Sequence, residues 1–85
     1  MTATLTLTFH DDPGHAWLEI PKKLCDGLGV VLTPYSYISN DGQTYYAEED
    51  VDAGAILNAL KEMGIYLEVK EKYSDPCFIR NLRHV

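Results

Sequence analysis

Two runs of alternating apolar and polar residues flank a Pro-Gly pair near the start of the chain, and no other feature constrains the fold as much. Apolar side chains occupy every second position in residues 2–10, and residues 15–20 repeat the pattern after the turn. Period-two alternation predicts strands with one buried face. Pro13 and Gly14 suit the centre of a type II turn, because proline presets φ and glycine accepts positive φ. We therefore predict a hairpin in which Trp17 faces away from the core.

A second hairpin is predicted at Asp41-Gly42, because Asp-Gly tolerates the positive φ values of a type I′ turn. A two-residue loop at this point pairs Tyr37 with Tyr46. A three-residue loop shifts the register by one and pairs Tyr37 with Tyr45 instead. Both alternatives place several tyrosines on one hairpin.

Residues 51–63 carry the strongest helix signal, with apolar side chains at helical spacing. Asp50 or Asp52 would cap this helix, because a carboxylate accepts hydrogen bonds from free backbone N–H groups at a helix start. Residues 65–73 alternate again and predict another strand, and Asp75 would cap a last short helix. We predict an α+β fold for residues 1–85 as one domain. It has an antiparallel sheet of about five strands, the main helix on one face, and a short helix after the second strand.

The charge is strongly negative for a chain of 85 residues, with 13 acidic and 7 basic side chains and a net charge of −6. Direct binding to nucleic acid requires a basic face, which this composition argues against. A basic partner protein fits the charge better. Solubility alone is the alternative explanation of the acidity.

His10, Asp12 and His15 bracket the first turn, in a pattern that could bind a metal or perform acid–base chemistry. Zinc sites need three or four ligands, and no further ligand motif accompanies this pair of histidines. We therefore predict that both histidines are exposed neighbours of a hairpin turn, that Asp12 accepts hydrogen bonds from the turn backbone, and that the chain binds no metal or cofactor.

Tyrosines and acids together form the candidate partner-binding set. Tyrosine offers rigid contact area at low entropic cost, and carboxylates steer a protein towards basic surfaces. In the two-residue register, one hairpin face carries three tyrosines, and the acids follow directly in sequence. The alternative is that this face belongs to the core. The predicted binding residues are Tyr35, Tyr37, Tyr46, Glu48, Glu49, Asp50 and Asp52.

Cys25 and Cys77 lie far apart, and the N-terminal residues lack the pattern of a signal peptide. We expect free thiols and a cytoplasmic protein of the host cell. No apolar run in the sequence is long enough to span a membrane.

The segments HDDPGHAWLEIP, TPYSYIS and YYAEEDVDA resemble those of small uncharacterised proteins carried by phages, plasmids and integrated elements of Gram-negative bacteria. In size and acidity the chain is also similar to anti-CRISPR and anti-restriction proteins. This resemblance implies a non-enzymatic inhibitor that blocks the basic, nucleic-acid-binding surface of a bacterial defence complex. Two alternatives remain: a metal-binding or small catalytic protein that uses His10, Asp12 and His15, and a homodimeric accessory protein.

Overall fold

The computed structural model describes residues 3–85. Thr2, the first residue of the predicted strand 2–10, lies outside this range. The elements in chain order are β1 (Ala3–Asp11), β2 (Ala16–Pro21), α1 (Lys22–Gly27), β3 (Tyr37–Ile38), β4 (Thr44–Glu48), α2 (Asp52–Glu62), β5 (Ile65–Tyr73), a 3₁₀-helix (Phe78–Asn81) and β6 (Arg83–His84). The α+β class, the main helix and the short helix after the second strand are confirmed.

The strands form one six-stranded sheet in the order β5-β1-β2-β4-β3-β6. The sheet is mixed, so the prediction of a purely antiparallel sheet was wrong. β5 runs parallel to β1 along its whole length, from Ala3 opposite Ile65 to Asp11 opposite Tyr73. The reason is the connection through α2: a helix between two strands returns the chain, so that β5 runs in the same direction as β4. β4 and β1 are both antiparallel to β2, which makes β5 parallel to β1.

Hydrophobic side chains cover both faces of the central strands. On one face α1 and α2 pack on the sheet, and the fully buried Leu18 and Ile56 lie in this main core. On the other face Trp17 packs with Cys77 and Ile79 in a second cluster. Trp17 is 2% exposed, so the expectation that it faces away from the core was wrong. The residues that cover Trp17 belong to the C-terminal segment, residues 77–84, which is distant from Trp17 in the sequence.

The first turn forms the predicted hairpin, in which His10 lies opposite Trp17 and Asp11 opposite Ala16. The type II assignment was wrong, because Gly14 is not among the residues with positive φ. The turn is held instead by Asp12, whose Oδ1 accepts hydrogen bonds from the backbone N–H groups of Gly14 and His15, at 3.0 Å each. The predicted role of Asp12 in the turn is therefore confirmed.

The second hairpin pairs Tyr37 with Tyr46, which is the register of the two-residue alternative and not that of the three-residue loop. Its turn differs from type I′, since Gly42 has a φ of +73° and no non-glycine residue among the described ones has positive φ. The N–H of Gly42 donates to the carbonyl of Ser39 at 2.9 Å. Asp41 Oδ1 accepts from the backbone N–H of Gln43. The midpoint of this longer loop lies between Asp41 and Gly42, as it would in a two-residue loop. The strands therefore pair in the same register.

The two predicted acidic caps are absent from the helix ends that the structure describes. α2 has Val51 at its N-cap position without a side-chain hydrogen bond. The C-terminal 3₁₀-helix follows Cys77, whereas Asp75 was the predicted cap. Within residues 3–85, no helix is both long and apolar enough to cross a membrane.

We predict that Gly42→Val lowers the free energy of unfolding by about 1–2 kcal/mol, because a Cβ is disfavoured at positive φ. Gln43→Val, one residue later in the same exposed loop, should change it by less than about 0.5 kcal/mol. Urea denaturation of both variants measures the difference. Equal stabilities would contradict the conformation assigned to this turn.

Candidate partner-binding cleft

An open cleft of about 480 Å³ lies on the sheet face opposite α2. Trp17 and Tyr37 contribute aromatic rings from β2 and β3. Glu48 and Asp50 contribute carboxylates from the end of β4 and the residues after it. Tyr35 adds a side chain that is 70% exposed. We call this the aromatic–acidic cleft.

Ring contacts define the aromatic side of the cleft. The rings of Trp17 and Tyr37 meet edge to face, with centroids 6.0 Å apart. His84 on β6 lies against Tyr37 with a centroid distance of 4.3 Å and an interplanar angle of 34°. His84 Nδ1 is 2.6 Å from the carbonyl oxygen of Pro34, which ties β6 to the loop that carries Tyr35. The rings thus come from three different strands.

An ion pair between Asp12 and Arg80 fixes the C-terminal segment beside the cleft. Arg80 donates to both carboxylate oxygens of Asp12, with Nη2 to Oδ1 at 2.9 Å. The same guanidinium lies over Trp17, 5.4 Å from the ring centroid. The Arg80 guanidinium and the backbone N–H groups of the turn hold the pKa of Asp12 well below its usual value of 3.8. Asp12 is therefore charged at neutral pH, and its charge is compensated.

A buried carboxylate positions the other side of the cleft. Asp52 Oδ2 accepts hydrogen bonds from the backbone N–H and the hydroxyl of Thr33, at 2.9 and 2.8 Å, and a short one from the Ser36 hydroxyl. Ser36 Oγ in turn accepts from the backbone N–H of Glu48 at 3.0 Å. Because Ser36 is fully buried, it serves here as a bridge between the start of α2, the loop before β3 and the end of β4. Tyr35 lies in the chain between Thr33 and Ser36, which both belong to this bridge, and its backbone N–H donates to Thr33 Oγ1 at 3.3 Å.

The two carboxylates of the cleft, Glu48 and Asp50, differ in whether a hydrogen bond orients the side chain. Glu48 Oε2 accepts a hydrogen bond from the backbone N–H of Val51 at 3.1 Å, which orients the side chain. Asp50 is exposed, and within residues 3–85 its side chain has no hydrogen bond or ion pair. Asp50 is therefore the acid most available to a ligand.

The structure brings together four of the seven predicted binding residues: Tyr35, Tyr37, Glu48 and Asp50. Glu49 is exposed but lines a neighbouring depression with Asp11 and Glu71. Two others were misplaced by the prediction. Tyr46 is buried in the second cluster, and Asp52 is 3% exposed in the hydrogen-bonded bridge. Neither of these two side chains is available to a partner.

The two histidines of the first turn have different environments, and the expectation that both are exposed was wrong for His10. His10 is buried, with Nε2 2.8 Å from Glu19 Oε1 and edge-on contacts to Tyr46 and Phe78. His15 is exposed and lies beside Trp17. Since Asp12 is bound by Arg80, the three residues do not point at a shared ion. Among residues 3–85 no three His, Cys, Asp or Glu side chains form a group that could hold a metal.

Cys25 and Cys77 are free thiols, as predicted, and both are buried. They lie in the two different clusters, on opposite faces of the sheet. Burial raises the pKa of Cys25 to about 11, so that this thiol is protonated at neutral pH. Neither cysteine belongs to the cleft.

Sequence reasoning missed Arg80, His84 and the bridging role of Ser36. The C-terminal segment has a net positive charge while the rest of the chain is acidic. This asymmetry is a signal that the segment docks on an acidic site. It does not identify Asp12 as the partner, because that pairing spans 68 residues.

Comparison of the chain with known protein families, with curated proteins and with solved structures gave no match. The candidate site is therefore defined by its own geometry.

We predict that Asp12→Asn lowers the free energy of unfolding at pH about 7, because it removes the charge that Arg80 pairs with. A carboxylate whose pKa is depressed in the folded state stabilises the protein above its unfolded pKa, and this contribution is lost as the pH falls. The difference between wild type and variant should therefore shrink as the pH is lowered below 3.8. Urea denaturation between about pH 7 and about pH 2 measures it.

Asp75→Asn is the control, since Asp75 is exposed and makes no ion pair with a described residue. Its stability should follow that of the wild type at every pH. A constant gap between Asp12→Asn and wild type across the range would contradict the role of the ion pair.

Proposed function

We propose that this protein is a non-enzymatic binding protein whose aromatic–acidic cleft holds an arginine or lysine side chain of a partner protein. The observation that carries the proposal is the meeting of exposed tyrosine with two carboxylates around one cleft. Cations bind the faces of aromatic rings and form strong hydrogen bonds with carboxylates. A cationic side chain can make both contacts here, with Tyr35 on one side and Asp50 on the other.

The charge balance inside the cleft favours a cation. Arg80 is the basic side chain at this site with a permanent charge, and Asp12 neutralises it. Glu48 and Asp50 then remain as uncompensated negative charges. The net charge of −6 on the whole chain adds a long-range field of the same sign, which speeds encounter with a basic surface.

The cleft already contains one contact of the proposed kind. The guanidinium of Arg80 lies over the ring of Trp17 at 5.4 Å, within the range of a cation–π interaction. A second guanidinium from a partner would lie on the exposed Tyr35 in the same way. Arginine suits the site better than lysine, because its planar group stacks on a ring and donates to a carboxylate at the same time.

We further propose that the partner is a nucleic-acid-binding bacterial defence complex of the CRISPR type. Such complexes hold phosphates in grooves lined with lysine and arginine. The carboxylates of the cleft would occupy positions intended for phosphates, and the tyrosines would supply the desolvated contact that slows release. This assignment rests on the acidity of the chain and on its resemblance to small proteins of mobile elements.

We predict that Asp50→Asn weakens binding of an arginine-rich peptide, with a several-fold loss of association rate that is larger at low salt. Stopped-flow fluorescence with a dye-labelled peptide measures the association rate at two salt concentrations. Glu62→Gln is the control, because it makes the same change of charge on an exposed residue of α2, on the other face of the sheet. Equal rates for the two variants would contradict the role of the cleft.

Tyr35→Ala, assayed with the same peptide, should mainly increase the dissociation rate, by about tenfold if the ring contributes ~1.4 kcal/mol. Val31→Ala is the matched control, since Val31 is exposed in the same loop. If both variants release the peptide at the wild-type rate, the tyrosine is not part of the binding surface.

We also predict that the protein reduces binding of target DNA to a purified CRISPR surveillance complex, and that Asp50→Asn reduces it less. Electrophoretic mobility shift with labelled DNA measures both. Peptide binding without any effect on DNA binding would support the cation-binding cleft and reject this partner.

A further inference from the structure

β5 is a long strand at the edge of the sheet. It has nine residues and pairs with β1 on one side, and no described strand pairs with its other side. Tyr66, Val69 and Tyr73 are 64%, 41% and 62% exposed. An edge strand of this length presents a row of unpaired N–H and C=O groups to which another strand can pair.

The register with β1 assigns each β5 side chain to a face. Ile65 and Leu67 pack against the main core, so the odd-numbered residues of β5 lie on the α2 face. The even-numbered residues lie on the opposite face, since side chains alternate along a strand. They are Tyr66, Glu68, Lys70 and Lys72.

We propose that two copies of this chain associate through antiparallel pairing of their β5 strands, with Val69 on the two-fold axis. In this register Glu68 lies opposite Lys70 of the second copy, and Tyr66 lies opposite Lys72 of the second copy. The symmetry repeats each pair, so that all four even-numbered side chains meet a complementary partner. Opposite charges directly across an antiparallel pair stabilise it.

Charge selects this register over its neighbours. In an antiparallel pair related by a two-fold axis, opposite residues lie on the same face of the sheet, so the axis must pass through a residue. The neighbouring registers are those in which the axis passes through the next residue on either side. An axis through Glu68 would place the two Glu68 carboxylates opposite each other. An axis through Lys70 would do the same with two ammonium groups, and like charges in such positions are destabilising.

The α2 face of the joint strands is apolar at the axis and at its ends. The two Val69 side chains meet at the axis, Tyr73 lies opposite Ile65 of the second copy, and the exposed Glu71 lies opposite Leu67 between them. This pairing extends the main core of each copy and covers apolar side chains that the single chain leaves exposed. Lysines on an edge strand usually hinder pairing, but here each lysine has a complementary group opposite.

The pairing would produce a continuous twelve-stranded sheet with both α2 helices on one face. The aromatic–acidic cleft is built from the other half of the sheet, on the opposite face, so the two clefts of the dimer would be open on one side of the molecule. Two sites on one rigid body bind a repetitive basic partner more tightly than one. The dimer does not depend on the proposed function, because no cleft residue takes part in it.

Charge reversal tests the pairing in the full chain. Lys70→Glu places two carboxylates opposite each other on both sides of the axis, and should raise the dimer dissociation constant by about tenfold or more. Lys23→Glu makes the same change of charge on exposed α1 and should leave it unchanged. The double variant Glu68→Lys/Lys70→Glu restores opposite charges and should restore the dimer.

Sedimentation velocity from about 1 μM to about 1 mM protein measures these constants. A wild type that stays monomeric over this range overturns the proposal. Pairing of β5 with a strand of a different protein would then be the alternative. Equal weakening by Lys23→Glu, or failure of the double variant to recover, also overturns it.

Cysteine cross-linking tests the register. Cβ atoms directly opposite in an antiparallel pair are about 4.5–5.5 Å apart, close enough for a disulfide after a small adjustment. Val69→Cys should therefore form a covalent dimer under mild oxidation. Glu71→Cys should not, because its two copies would be ~13 Å apart along the strands. The native Cys25 and Cys77 are buried, which keeps the background low. Cross-linking of Glu71→Cys as fast as Val69→Cys overturns this register.

Discussion

The ion pair between Asp12 and Arg80 is the contact on which the second face of the sheet depends. The first turn already directs two backbone N–H groups at the Asp12 carboxylate, which fixes a negative charge at the end of the hairpin. Arg80 binds this charge and brings Ile79 and Cys77 over Trp17. A sheet with helices on one face only would leave Trp17 in solvent. The C-terminal segment buries it and forms one wall of the aromatic–acidic cleft.

Two acids of this very acidic chain act inside the molecule. Asp52 is surrounded by the hydroxyl and N–H donors of Thr33 and Ser36, and it holds the loop before β3 against α2. Burial of a carboxylate is costly unless hydrogen bonds compensate it, and here three do. With Asp12 and Asp52 committed to structure, the negative charge available to a partner in the cleft belongs to Glu48 and Asp50. The proposed binding surface thus contains fewer acids than the acidic cluster in the sequence.

Local patterns predicted both hairpins and every element except β6. The alternation in residues 2–10 and 15–20, the turn at Asp12 and the pairing of Tyr37 with Tyr46 all depend on neighbours within about ten residues. The parallel pairing of β5 could also have been deduced, because a helix between β4 and β5 is the usual sign of a parallel connection. The errors at Trp17 and His10 have one cause: period-two alternation identifies two faces but does not say whether the second is covered.

The class of fold, the positions of the two hairpins, the main helix and the net negative charge follow from the sequence alone, because each depends on side-chain period, turn chemistry or composition. Tertiary structure alone decided which acids and tyrosines are exposed. Tyr46 and Asp52 are of the same residue types as Tyr35 and Asp50 and lie in the same part of the sequence. The first two are nevertheless buried, whereas the last two line the cleft. The difference arises from contacts between distant segments, above all the docking of residues 77–84 on the sheet. No local pattern encodes such contacts, since their free energy depends on which surfaces the rest of the chain has brought together.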